Sequence, residues 1–313
     1  MRVGIMIEGQ EGLTWERWWR LAQAAEDLGY ESLCRSDHLT GLGGESRRPS
    51  LETWVSLTAL ATRTRRIRFG PMVSPLTFYH PAILAKMAAA IDALAGGRFD
   101  LGIGAGWNEH EHTMYGVPFP PPQGAAWTGS ECGARLIRAL EAPEPVTLNQ
   151  PYYPLTKAES YPRPPQGRLR VVIGGRGEKR TLRIVAEVAD EWNVTRLDVE
   201  GYRAKRQVLA EHCRSVKRDP ETIARSLMIP LAIGRDAGGG GPARGQRARH
   251  LPRPPRRRGG LARRRLPRRL ARPDRRGPHA WDGAGMQRVL LQMLDQEDIG
   301  ALELFAREVL PKV

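Results

Sequence analysis

The spacing of short apolar runs constrains this chain more than any other feature. Val3 to Ile7 is an apolar run, and Thr14 to Gly29 reads as an amphipathic helix. Thr14 suits its N-cap, Trp18, Leu21, Ala22, Ala25 and Leu28 fall on one face, and Gly29 can end it. The alternation continues through a strand at Ser32 to Cys34, a helix from Leu51 to Thr62 and a strand from Ile67 to Val73. A helix from Pro81 to Leu94 and a strand from Phe99 to Ile103 follow. In the second half, Leu169 to Ile173, Glu191 to Val194, Leu227 to Ile233 and Arg288 to Met293 read as strands. Helices fit Glu178 to Ala189, Val199 to Ser215 and Glu297 to Val309. Strands separated by helical crossovers lie parallel, and eight of them favour closure: the expected class is α/β, a (β/α)8 TIM barrel.

The 313 residues exceed the roughly 250 that such a barrel needs, so a single domain spanning 1–313 is expected. The formal charge of +15 suggests a nucleic-acid binder, but its distribution speaks against that. Ala237 to His279 holds 15 Arg and one acid, Asp274; the rest of the chain holds 34 basic and 33 acidic residues. The basic stretch has no Trp, Phe or Tyr on which bases could stack, and no hydrophobic period. Its Arg, Pro, Gly and Ala are what a GC-rich gene yields when read in a shifted frame. We read it as an atypical segment, disordered or bounded by compensating frameshifts, that is solvated and open to proteases. A second suspect runs from Gln123 to Glu131, where a helix should start. Shifted by one frame, the codons of Trp127 and Thr128 spell Leu, Met or Val followed by Asp.

Cys34, Cys132 and Cys213 are odd in number and widely separated, as suits a reducing cytoplasm. No apolar run reaches the roughly 20 residues of a membrane span, and the amino-terminal run is too short for a signal peptide. No membrane or nucleic-acid partner is expected.

In a barrel of this kind, chemistry sits at the carboxyl ends of the strands. Ser36, Asp37 and His38 follow the second strand; an acid beside a histidine can bind a ligand and move a proton. On that dipeptide alone, the simpler reading is that both residues organise a loop. Pro71, Met72, Val73, Ser74 and Pro75 form a stiff apolar wall after the third strand. Gly102, Gly104 and Gly106, leading to Trp107 and Asn108, would let a backbone approach a flat ligand or a phosphate. The dinucleotide and methyltransferase glycine loops look alike but follow the first strand of their domains, with an acid ending the next strand. Glu109, His110, Glu111 and His112 read as a solvated helix start, since histidines two apart do not share a helix face. Gly174, Gly175, Arg176 and Gly177 lie between a buried strand and a helix, where free N–H groups and a cation favour an anion.

Together the segments 36–39, 70–75, 80–82, 96–107 and 173–177 resemble the luciferase-like oxidoreductases. The likeness is greatest to the branch that uses the deazaflavin coenzyme F420, and residues 287–291 to 308–311 are similar to that branch as well. The resemblance implies an oxidoreductase, F420-dependent or an FMN-dependent monooxygenase, acting on a small organic substrate; it admits a homodimer. It implies that Asp37 and His38 lie near the ring, with His38 and Asp37 as catalytic candidates. Met72, Val73 and Ser74 would back the ring around a non-proline cis peptide at Met72 or Val73. Gly104, Ala105, Gly106, Trp107 and Asn108 would line its edge, and Gly174, Gly175, Arg176 and Gly177 would hold its phosphate. Trp107 and Asn108 stand where relatives carry an acid, which argues against sugar-phosphate oxidation. No metal ligand set is implied.

Overall fold

The computed structural model describes residues 1–42, 47–119, 125–231, 233 and 281–313. Its first half runs β1 (Arg2–Ile7), α1 (Trp15–Asp27), β2 (Ser32–Arg35), α2 (Thr53–Arg63), β3 (Arg68–Pro71), β4 (Ser74–Pro75), α3 (Pro81–Leu94) and β5 (Asp100–Gly104). Then come α4 (Glu109–Tyr115), α5 (Ala125–Ala139) and a hairpin, β6 (Val146–Leu148) and β7 (Leu155–Ala158). The second half runs β8 (Arg170–Gly174), α6 (Thr181–Val188), β9 (Glu191–Thr195), α7 (Val199–Ser215), β10 (Ala224–Pro230), β11 (Arg288–Met293) and α8 (Ile299–Glu308).

Apart from the hairpin, these strands form one parallel sheet in the order β3-β2-β1-β11-β10-β9-β8-β5-β4. The strands β3 and β4 are two halves of one barrel position: β3 pairs with β2, and β4 pairs with β5. A bridge between Phe69 and Phe99 brings the two edges together, with the Phe69 N–H donating to the Arg98 carbonyl at 3.1 Å. The (β/α)8 barrel read from the apolar runs is thus observed. Strand β10 starts at Ala224, three residues before the apolar run, because its register is set by pairing with Glu191–Thr195 and Arg288–Gln292.

Side-chain alternation divides the interior in two. Residues such as Ile5, Leu33, Phe69, Leu101, Val171, Trp192, Leu227 and Leu291 face the helices, where Trp18, Leu21, Leu57, Leu84, Ile137 and Leu182 meet them. Burying a side chain such as Leu21 contributes about 1.5–3 kcal/mol. Helix α1 begins where Thr14 accepts from the Arg17 N–H, and Gly29 follows it at a φ of 82°. Inside the barrel, Met6, Cys34, Met72, Val172 and Leu290 form a small apolar layer.

Below that layer, at the amino ends of the strands, lies a buried ion cluster. Arg288 is fully buried and faces Glu191 at 3.1 Å, Glu31 at 2.9 Å, Asp100 at 3.4 Å and the Ser32 hydroxyl at 2.6 Å. Arg170 and Arg68 complete it through Glu191 and Asp100. The stretch Ala237–His279 lies outside the described residues. So do Gln123 and the residue after it in the second suspect stretch. From Ala125 onward that stretch forms the start of α5, where a helix was expected, and Glu131 accepts from Arg183 at 2.8 Å. Among the described residues no helix is long and apolar enough to cross a membrane.

Candidate active site

Strand ends β1, β2, β4, β5 and β8 converge on the carboxyl mouth of the barrel. Asp37, just past β2, is buried. Its carboxylate accepts from Trp54 Nε1 at 3.3 Å, from the Tyr79 hydroxyl at 3.2 Å and from the Ser74 hydroxyl. Burial raises its pKa above the usual carboxylate range, against the opposing hydrogen bonds from Ser74 and Tyr79 and the charge of Arg35. The structure therefore places Asp37 where it ties β2 to β4, with its oxygens already engaged. Arg35 beneath it is buried too; its guanidinium donates to Ser56 Oγ at 2.6 Å and to the Leu51 carbonyl at 2.9 Å. Desolvation pushes Arg35 down to about 10.

His38 faces the other way. Its Nδ1 lies 2.8 Å from Glu111 Oε2. Glu111 is buried, and its Oε1 accepts from the Leu39 N–H at 2.7 Å and the Thr40 N–H at 3.2 Å, while Asn108 Nδ2 donates to Oε2 at 2.8 Å. Burial alone would lower the His38 pKa; the hydrogen bond and charge of Glu111, joined by Glu8 and Asp37, outweigh it and raise the pKa. The Glu111 carboxyl moves the opposite way: desolvation raises it, but His38 and the two backbone donors bring it below its ordinary value.

The expectation of a solvated helix start at Glu109–His112 is thereby corrected. Glu109 and His110 are exposed, but Glu111 and His112 are buried. His112 sits between Thr77 Oγ1, 3.0 Å from Nε2, and the Val117 carbonyl, 3.3 Å from Nδ1, with its ring 4.3 Å from that of Phe78. Among the described residues no group of three or more His, Cys, Asp or Glu could hold a metal.

The peptide between Met72 and Val73 is cis, at the break between β3 and β4. The Val73 side chain lies in a slot between glycines. A Cβ on Gly104 would come within 2.7 Å of Val73 Cγ2, and one on Gly174 within 3.2 Å of Cγ1. Glycine at both positions lets the Val73 side chain pack directly on the backbone of β5 and β8. Ser74 is buried against Asp37, and Gly106 takes a φ of 80° beside Thr77. Trp107, 64% exposed, meets His38 edge-on at 5.8 Å; Ala105 and Asn108 flank this turn.

Gly174 ends β8 half-buried, and the exposed turn Gly175–Gly177 beyond it leads to α6. Gly175 takes a φ of 132°, where any side chain would be strained and would meet Thr181 Cγ2 at 3.1 Å. The Thr181 hydroxyl, at the start of α6, is buried and lacks a hydrogen-bond partner. An orphaned donor beside glycines at a helix amino end fits a phosphate oxygen. Arg176 reaches the Arg196 carbonyl at 3.2 Å, which leaves its charge at the rim of this loop. A cavity of about 610 Å³ opens at the opposite, amino-terminal end, lined in part by Arg68, Arg168 and Arg170. These arginines are paired with Asp100, Asp190 and Glu191, so that end reads as structural.

Sequence reasoning missed Glu111, Tyr79 and Glu8. Glu8, just past β1, accepts from Gln292 and, at 2.9 Å, from Gln10 Nε2. The one sequence signal for Glu8 and Tyr79 was their nearness to strand ends.

Residues 1–238 match the family described as luciferase-like monooxygenase. The chain is 33% identical over 175 residues to an F420-dependent glucose-6-phosphate dehydrogenase of Microbacterium testaceum, covering 55% of this chain and 50% of that protein. It is 33% identical over 153 residues to 4-hydroxyprotoasukamycin monooxygenase of Streptomyces nodosus subsp. asukaensis, covering 49% and 39%. The chain spans about half the length, or less, of the curated relatives it matches. Among solved structures it superposes on an F420-dependent secondary alcohol dehydrogenase bound to an F420-acetone adduct, with a TM-score of 0.77 and 16% identity over 99% of this chain and 98% of that one. It also superposes on the coenzyme F420 dependent tetrahydromethanopterin reductase from Methanopyrus kandleri, with a TM-score of 0.73 and 19% identity over 99% of both chains. At such identities the superpositions show the fold. With three quarters of its length matched by the family and the same barrel throughout, this chain belongs to the luciferase-like monooxygenase family.

Proposed function

We propose that this chain is an oxidoreductase that uses coenzyme F420 on a small organic substrate. The orphaned Thr181 hydroxyl beside Gly175 and Gly177, next to the glycine-lined slot that holds Val73, carries this reading. A flat ring with a phosphate tail fits an open wall that continues into an anion cradle. Gly174, Gly175, Arg176 and Gly177 would hold the phosphate, with Thr181 donating one hydrogen bond. Met72, Val73 and Ser74 would back the ring, and Gly104, Ala105, Gly106, Trp107 and Asn108 would lie along its edge. Bound there, the coenzyme would supply hydride chemistry. Asp37 would hold Ser74 and Tyr79 in place for the wall, and His38 would hold or move a proton at Nε2. Two relatives support the coenzyme, the glucose-6-phosphate dehydrogenase of Microbacterium testaceum and a second of Beutenbergia cavernae, 37% identical over 150 residues. Trp107 and Asn108, neither of them an acid, occupy the two positions directly after the glycines, which favours a substrate other than a sugar phosphate. The three cysteines are free and buried, as suits a cytoplasmic enzyme.

A second reading, FMN-dependent monooxygenation on the same scaffold, draws on the likeness to 4-hydroxyprotoasukamycin monooxygenase. Titrating the purified protein with F420 and with FMN separates the two. Binding of F420 alone supports the first; binding of FMN alone replaces it with the second.

A further inference from the structure

His38 uses only one of its two ring nitrogens within the protein. Nδ1 faces Glu111, while Nε2 makes no hydrogen bond among the described residues. The imidazole is mostly buried but keeps 16% of its side-chain surface open, against 1% for Glu111. Glu111 is itself held on every side. Two backbone N–H groups of the loop after β2 and the Asn108 amide fix its carboxylate, so it cannot turn away from the ring. Among the described residues, the charges that act on His38 are Glu111 on α4, Glu8 beyond β1 and Asp37 on its own segment, all of them acids. Trp107 covers one edge of the ring.

We infer that Glu111 is a positioning residue: it keeps the proton on His38 Nδ1 and turns Nε2 to the barrel mouth as a charged donor for an acceptor oxygen of the substrate. The arrangement follows from donor chemistry. A carboxylate that already accepts three hydrogen bonds from Leu39, Thr40 and Asn108 can only accept from Nδ1, so the neutral ring is the Nδ1–H form and the charged ring gains its second proton on Nε2. Burial of the pair from water makes the Glu111 charge felt more strongly than it would be on a surface. A carbonyl or carboxylate oxygen is the ligand atom that such an N–H selects. A hydroxyl that must lose its proton to His38 is the poorer match while the ring is already charged.

The inference takes its functional meaning from the reading above, but its test does not require coenzyme. The two ring nitrogens of His38 can be followed by nitrogen-15 NMR titration of the purified full chain without ligand. The expected midpoint lies above the ordinary histidine value near 6.5, and the neutral ring carries its proton on Nδ1. Glu111→Gln keeps an acceptor near Nδ1 but removes the charge, and should lower the midpoint by about one unit or more. Glu8→Gln should lower it less. Should Glu111→Gln fail to fold, Asn108→Ala gives a second route: loss of the amide donor leaves more negative charge for the ring, and the midpoint rises. A wild-type midpoint at or below 6.5, a neutral ring protonated on Nε2, or a larger fall in Glu8→Gln than in Glu111→Gln would overturn the assignment. So would an unchanged midpoint in both Glu111→Gln and Asn108→Ala. A chain that fails to bind F420 but shows the expected titration refutes the coenzyme reading alone, and the converse refutes Glu111 alone.

Discussion

Arg288→Met removes the cation at the centre of the buried ion cluster while keeping a long apolar stem in the barrel. Its loss leaves Glu191 with Arg170 and Asp100 with Arg68 and Arg170 as counterions, and the two carboxylates are 0% and 1% exposed. Removing one partner of a buried ion pair costs about 3–5 kcal/mol where the remaining charge is left unpaired; with Arg170 and Arg68 still in place the expected cost is about 3 kcal/mol, the low end of that range. The charges around Glu191 point the same way. Desolvation raises the Glu191 pKa, but the charges of Arg288 and Arg170 bring it down to about 2. A depressed carboxylate contributes stability above its unfolded pKa, near 4.5, and loses it as pH falls through about 2. For a chain of this size about 3 kcal/mol corresponds to a fall in melting temperature of roughly 5 °C at pH 7. The pH response should also flatten. Wild type weakens as pH drops below 5, whereas in the variant the Glu191 pKa rises toward its ordinary value, so less stability is lost over the same range. Thermal and urea unfolding at pH 7, 6, 5 and 4 would measure both. A variant within 1 kcal/mol of wild type at pH 7, or one with the same pH slope, would refute the reasoning.

Other substitutions probe the mouth. Gly175→Val places a β-branched side chain at a φ of 132° and against Thr181, and should abolish F420 binding in a folded protein; unchanged affinity by fluorescence titration would remove the phosphate cradle. His38→Ala should lower kcat by about 10²–10⁴-fold and leave coenzyme affinity nearly intact, measured once a turned-over substrate is in hand; equal activity would return His38 to an organising role in its loop. Tyr79→Phe deletes one donor to the buried Asp37 carboxylate and should cost about 1–3 kcal/mol in urea unfolding, with no change in helix content by circular dichroism.

The barrel was legible because its strands expose apolar faces to a helical layer: Ile5, Phe69, Leu101, Val171 and Leu291 all face outward. Local caps such as Thr14 and Gly29 could be read for the same reason, since each acts within a few residues. The inward positions could not be read as readily. Asp100, Glu191 and Arg288 lie 91 and 97 residues apart along the chain, and only closure of the barrel makes them neighbours. The site divides in the same way. The glycines at 104, 174 and 175 announce close backbone approach by their composition. The pair His38–Glu111 spans 73 residues, and a short helix of alternating Glu and His gives no local sign that its second Glu and second His turn inward. Strand β10 was misplaced because an apolar run gives no register; its partners β9 and β11 do.

The central claim, that the carboxyl mouth of this barrel is built for a deazaflavin with a phosphate tail, is tested most directly by calorimetric titration of the purified chain with F420, beside FMN as the competitor. The account predicts saturable one-site binding of F420, tighter than that of FMN and lost in Gly175→Val. Binding of FMN in preference to F420, or heat that persists unchanged in Gly175→Val, would contradict it.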